Sequence, residues 1–187
     1  MNSIQNLFRK HSTLKNILLT FFLFIINFSL FRVLTPRFKE LSGGIDIPDI
    51  TVVFSSTNIY ELYTQFGPAA RSYYNYIQLV DLFYPLVYCI FFALLITGIS
   101  KRLSSSKVFN NIYLIPLITA IFDYGENLLF FIMNQVYPAK FGLIAPAGYL
   151  FSMGKWVFFT SMIVIALLLL IMMLFYKISG KKLDVIE

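Results

Sequence analysis

The residues with chemistry to offer lie where a charge is least stable. Phe122-Asp123-Tyr124-Gly125-Glu126-Asn127-Leu128-Leu129 places two acids and an amide inside an apolar run. An uncompensated acid at bilayer depth costs roughly 2.5–3.5 kcal/mol, so such residues face protein or water and mark functional positions. On a helix Asp123, Glu126 and Asn127 stand at i, i+3 and i+4 and share one stripe. Two carboxyls so spaced can act as general acid and base, fix the polar end of a bound molecule, or neutralise a buried lysine. Gly125 lies just off the stripe, where a small residue lets another helix approach.

The elements that must hold these residues are membrane helices. The 187 residues are 58% hydrophobic and only 13% charged, with a mean hydropathy of +0.76, which excludes an ordinary soluble domain. A helix rising about 1.5 Å per residue needs about 20 apolar residues to cross the hydrocarbon. Four runs qualify: residues 16–34, 76–100, 112–134 and 148–176. They are continuous rather than alternating, which argues against a β-barrel. The expected fold class is an all-α membrane protein, a four-transmembrane-helix bundle forming one domain over residues 1–187. A leader (1–15), a turn (101–111), an outer turn (135–147) and a tail (177–187) complete it. The one long connection, residues 35–75, opens at Pro36 and carries Ile45-Asp46-Ile47-Pro48-Asp49, read as extended chain. Within it, apolar residues at 59, 62, 63 and 66 share one face, predicting a short amphipathic surface helix over 58–66, capped near Ser55-Ser56-Thr57, with its tyrosines at the headgroups. Gly67-Pro68 then breaks the chain before a new helix enters the second span. Pro85 and Pro116 predict kinks inside spans two and three.

The net charge of +6 is distributed by sidedness. Arg9, Lys10, Lys15, Lys101, Arg102, Lys107, Lys177, Lys181 and Lys182 fall on one side. Arg37, Lys39, Arg71, Lys140 and Lys155 fall on the other. This asymmetry predicts a multi-pass cell-membrane protein with both termini in the cytoplasm, and it leaves no nucleic-acid footprint. Phe28-Ser29-Leu30-Phe31-Arg32 offers no cleavage pattern, so the first run reads as an uncleaved span. With one cysteine (Cys89) and one histidine (His11), neither an intrachain disulfide nor a Cys/His metal site can form, and no cofactor is expected.

Counting from the outer end of each span, polar groups of all four helices fall in one layer. Asn27, Asp81, Glu126, Asn127 and Lys155 come at about 8–12 Å and Asp123 at about 16 Å. Asp81 and Tyr88 share a stripe of span two. Asn27, Asp81, Tyr88, Asp123, Glu126, Asn127 and Lys155 are therefore the candidate binding residues. Lys155, the only cation at that depth, is expected to pair with Glu126 or Asp81. Trp156 is expected to anchor at the headgroups.

The patterns Gly67-x3-Arg71-x2-Tyr74, Asp81-x3-Pro85-x2-Tyr88 and Asp123-x2-Glu126-Asn127 resemble those of a family of small four-span bacterial membrane proteins, over about residues 67–155. The resemblance implies the four-helix layout and the importance of these positions, and brings no activity with it. From the residues, the leading reading is a site for a lipid, an amphiphile or a small molecule, with membrane lipids as partners. Three alternatives stand beside it. One is a membrane-embedded enzyme using Asp123 and Glu126 as acid and base, and another a proton-coupled carrier. The third is an assembly partner of a second membrane protein or of a further copy of the chain.

Overall fold

The structure is a computed structural model that describes residues 3–50, 59–103 and 111–179. Six helices account for most of it: α1 (Ser3–His11), α2 (Leu14–Leu41), α3 (Ile59–Asp81), α4 (Tyr84–Leu103), α5 (Leu114–Val136) and α6 (Ile144–Ile178). No strand occurs among the described residues. α2, α3 with α4, α5 and α6 form four segments long and apolar enough to cross a membrane. The protein is an all-α four-helix membrane bundle.

α2 begins at an N-cap, Thr13, whose side chain accepts the Asn16 N–H. It does not stop at residue 34 but runs through Pro36 to Leu41. Pro36 removes one backbone N–H, yet the last two turns are held from outside: the fully buried Phe38 ring meets Phe66 at 5.0 Å and Tyr74 at 5.9 Å. Residues 45–47 are non-helical as expected, but residues 48–50 form a helical turn, with Pro48 at its first position.

The helix expected over 58–66 is present from Ile59, Asn58 and the Ser55-Ser56-Thr57 caps lying outside the described residues. Its tyrosines are not at a lipid surface. Tyr60 and Tyr63 are buried, and their hydroxyls donate to the carbonyls of Phe141 (3.1 Å) and Phe130 (2.9 Å). With Phe38, Ile59, Leu62, Phe66 and Tyr74 they form an apolar cap over one end of the bundle. An apolar helical face has the same pattern whether lipid or protein covers it. Gly67, at φ 70° and ψ 169°, makes the predicted break in a conformation open essentially to glycine alone. Arg71 spans the break, donating to the Tyr63 carbonyl at 2.6 Å and lying 4.0 Å over the Tyr137 ring.

The second span is broken at Leu82 and Phe83. Pro85 has no N–H to return to the Asp81 carbonyl. Span three supplies the replacements: Asn127 Nδ2 reaches the Asp81 carbonyl at 3.5 Å and the Tyr124 hydroxyl donates to the Leu82 carbonyl at 3.0 Å. Pro116, by contrast, makes no kink inside a span. It sits in the first turn of α5, where the N–H it lacks would have had no helical partner. The residues read as a leader include α1, which packs on α4 and sets the Phe8 ring 5.7 Å from that of Tyr113, tilted at 43°.

Candidate functional site

Two apolar clusters fill the bundle, and the polar residues lie between them. The cap cluster reaches Ile77 on α3 and Phe130 on α5. The second cluster starts at Tyr88 on α4 and includes Ala120 on α5 and Met162 on α6. Asp81, Asp123, Glu126, Ser152 and Lys155 occupy the layer between, and all are buried. The layer thus arises from the sequence: α3, α5 and α6 each bring one polar turn flanked by apolar residues.

A reciprocal notch sets the register of α5 against α6. A Cβ at Gly125 would sit 2.3 Å from the Phe151 ring, and one at Gly154 would sit 2.3 Å from the Phe122 ring. The two rings stand 5.7 Å apart. Both helices thus carry the same spacing, Phe122-x2-Gly125-Glu126 and Phe151-x2-Gly154-Lys155. Because each phenylalanine fills the other helix's glycine gap, the residues after the glycines meet. Lys155 Nζ pairs with Glu126 Oε2 and stands 3.7 Å from Asp123 Oδ1. Asp123 Oδ2 accepts the Tyr88 hydroxyl at 3.0 Å. The expected Lys155 pair is with Glu126, not Asp81.

Beside this network is a cavity of about 420 Å³, within the usual range of ligand sites. One wall is α2, through Phe24, Phe28, Phe31 and Thr35; the facing wall is α6, through Lys155, Trp156, Phe159 and Ile163. α2 packs on α3 and α4, and α6 packs on α5 and α4, so the cavity occupies the gap left between α2 and α6. Its polar end is made by Asp49, Asp81, Asp123 and Lys155, with Tyr84 beside them. Residues 47–50 close that end. Asp49 accepts the Tyr74 hydroxyl at 2.6 Å, and its backbone carbonyl accepts the Trp156 indole N–H at 3.3 Å. Trp156 is thereby tied to the closing segment.

The structure brings Asp81, Asp123 and Lys155 to the cavity itself, with Tyr88 and Glu126 directly behind them through Asp123 and Lys155. Asn127 is instead committed to the carbonyl freed by Pro85 and lines a different groove. Asn27 is buried, with its Oδ1 unpartnered among the described residues, and does not line the cavity. Sequence reasoning missed Asp49, Tyr84 and the α2 phenylalanines. Asp49 did leave a signal, an acid directly after Pro48 and flanked by Ile47 and Ile50.

Asp81 differs from its neighbours. It is 5% exposed and its carboxyl makes no hydrogen bond or ion pair among the described residues. The Tyr84 hydroxyl beside it likewise makes no hydrogen bond among them. Among the described residues no three His, Cys, Asp or Glu side chains converge to hold a metal ion. What the arrangement offers is an aromatic slot ending on uncommitted acceptor and hydroxyl groups. No protein-family profile, curated protein or solved structure matches the chain.

Proposed function

We propose that this cell-membrane protein, with both termini in the cytoplasm, binds a lipid, an amphiphile or another small molecule of amphipathic character in the slot between α2 and α6. The single observation that carries the reading is the two-part lining of that cavity. Aromatic and aliphatic side chains form its walls, and Asp49, Asp81, Asp123 and Lys155 are gathered at one end. An apolar chain lying between Phe28 and Phe159 would be shielded as it is in the bilayer, while its polar end reaches groups that the bilayer lacks. The basic-residue asymmetry puts that polar end in the outer half of the membrane. Access would be sideways, through the gap between the α2 and α6 walls of the slot.

Native mass spectrometry of protein extracted gently from membranes tests this. A bound molecule should accompany the wild type. It should be lost from Ile163→Trp, which fills the slot, and kept by Leu167→Trp, whose site is 54% exposed and outside the lining. Wild-type protein free of any bound molecule, or equal retention in the two variants, refutes the reading.

A further inference from the structure

We infer that the slot selects an amphiphile whose polar end is a protonated amine, with Asp81 as its counter-ion. The inference rests on the proposal that the slot is a ligand site, and it names what that site prefers. Four acids (Asp49, Asp81, Asp123 and Glu126) face one another across electrostatic reach, with Lys155 as the cation among them. That cation is already committed, paired to Glu126 and close to Asp123. Asp123 also takes the Tyr88 hydroxyl, and Asp49 takes that of Tyr74. Only Asp81 remains, nineteen-twentieths buried, lining the cavity and without a hydrogen bond or ion pair among the described residues.

The chemistry of an uncommitted buried carboxyl group selects its complement. A group that brings both positive charge and N–H donors satisfies it by a charge-assisted hydrogen bond. A neutral alcohol supplies the donor without the charge. A carboxylate or phosphate adds a further negative charge to a layer already in acid excess, which low dielectric makes repulsive. Tyr84 and Trp156 line the same end, and the Trp156 ring already lies 5.9 Å from one cation, Lys155 Nζ.

Trp156 is the only tryptophan in the chain and lines the slot, so its fluorescence reports occupancy directly. The protein in nanodiscs of zwitterionic phospholipid is titrated with dodecylamine, dodecanol and dodecanoate, which differ only at the head. The expected order is dodecylamine at least tenfold tighter than dodecanol, with dodecanoate weakest. Asp81→Asn should bring amine and alcohol within about twofold, and bilayer partitioning of the probes is the same in both proteins. If wild-type protein binds amine and alcohol saturably and equally, the slot is a ligand site but the cation preference is wrong. If amine is preferred equally by wild type and Asp81→Asn, Asp81 is not the counter-ion and the inference fails. If no probe changes the Trp156 signal and native mass spectra show no adduct, both proposals fall. The wild-type ligand series decides the preference even if Asp81→Asn does not fold.

Discussion

Two lateral cavities of similar size open on this bundle, and their chemistry is opposite. The slot between α2 and α6, about 420 Å³, ends on three acids and a lysine. The groove between α3 and α5, about 490 Å³, is lined by Asn75, Gln78, Tyr124 and Asn127 among leucines and a phenylalanine, and carries no charge. In the groove most polar groups are used by the fold: Tyr124 and Asn127 answer carbonyls at the break before Pro85, and Asn75 accepts from Asn134 and Gln135. Gln78, a neutral amide, is left without a partner among the described residues. In the slot the polar groups serve one another incompletely, and Asp81 is left without a hydrogen bond or ion pair among the described residues. Size therefore does not separate a structural crevice from a site here. Whether the side chain left over is an ionisable group or a neutral amide does.

Removing Glu126 should have the largest effect and would break the contrast if it did not. Glu126→Ala leaves Lys155 buried with Asp123, at 3.7 Å, as its remaining ion-pair partner and Asp49 and Asp81 within electrostatic reach. The cost should therefore lie toward the lower end of the about 3–5 kcal/mol that loss of one partner of a buried pair brings. Thermal or denaturant unfolding in detergent measures it; a loss below about 1 kcal/mol would mean that Lys155 is not held as described. Next comes the notch that positions the pair. Gly125→Ala forces a methyl into the Phe151 ring and should cost about 1–3 kcal/mol. Gly142→Ala, with nothing within 4 Å of the new carbon, should stay within about 0.5 kcal/mol. Equal effects would show that the α5–α6 seam is not glycine-gated. The smallest effect belongs to the groove. Both polar atoms of the Gln78 side chain are buried without partners among the described residues, so Gln78→Leu should be neutral or slightly stabilising, within about 0.5 kcal/mol. A loss above about 1 kcal/mol in the same unfolding measurement would mean that the groove, like the slot, has a partner to hold.

The fold was legible because membrane helices announce themselves by length and apolarity, and because Gly67-Pro68 can hardly do other than break a helix. The polar layer was legible too, since Asp81, Asp123, Glu126 and Lys155 are conspicuous in apolar runs and helical rise places them at one depth. What spacing alone does not give is azimuth between helices. Asn127 and Glu126 are adjacent in sequence, yet one answers a proline-freed carbonyl and the other a lysine. That choice is made by the Pro85 break and by the paired Phe-x2-Gly spacing of α5 and α6, the second of which was present in the sequence and not read. Asp49 was hidden for a different reason. It lies in the long connection, and only the tertiary contact of residues 47–50 with Tyr74 and Trp156 brings it to the slot.

The central claim, that the space between α2 and α6 is where a membrane amphiphile binds, is tested most directly by photolabelling in the bilayer. A photoactivatable long-chain amine and the matching alcohol would be cross-linked to nanodisc-embedded protein and the adducts mapped by mass spectrometry. Saturable adducts are expected on residues 24–31 of α2 and 156–163 of α6, removed by Ile163→Trp. Labelling spread equally over those walls and over Leu79, Leu128 and Phe131 of the uncharged groove, unchanged by Ile163→Trp, would contradict it.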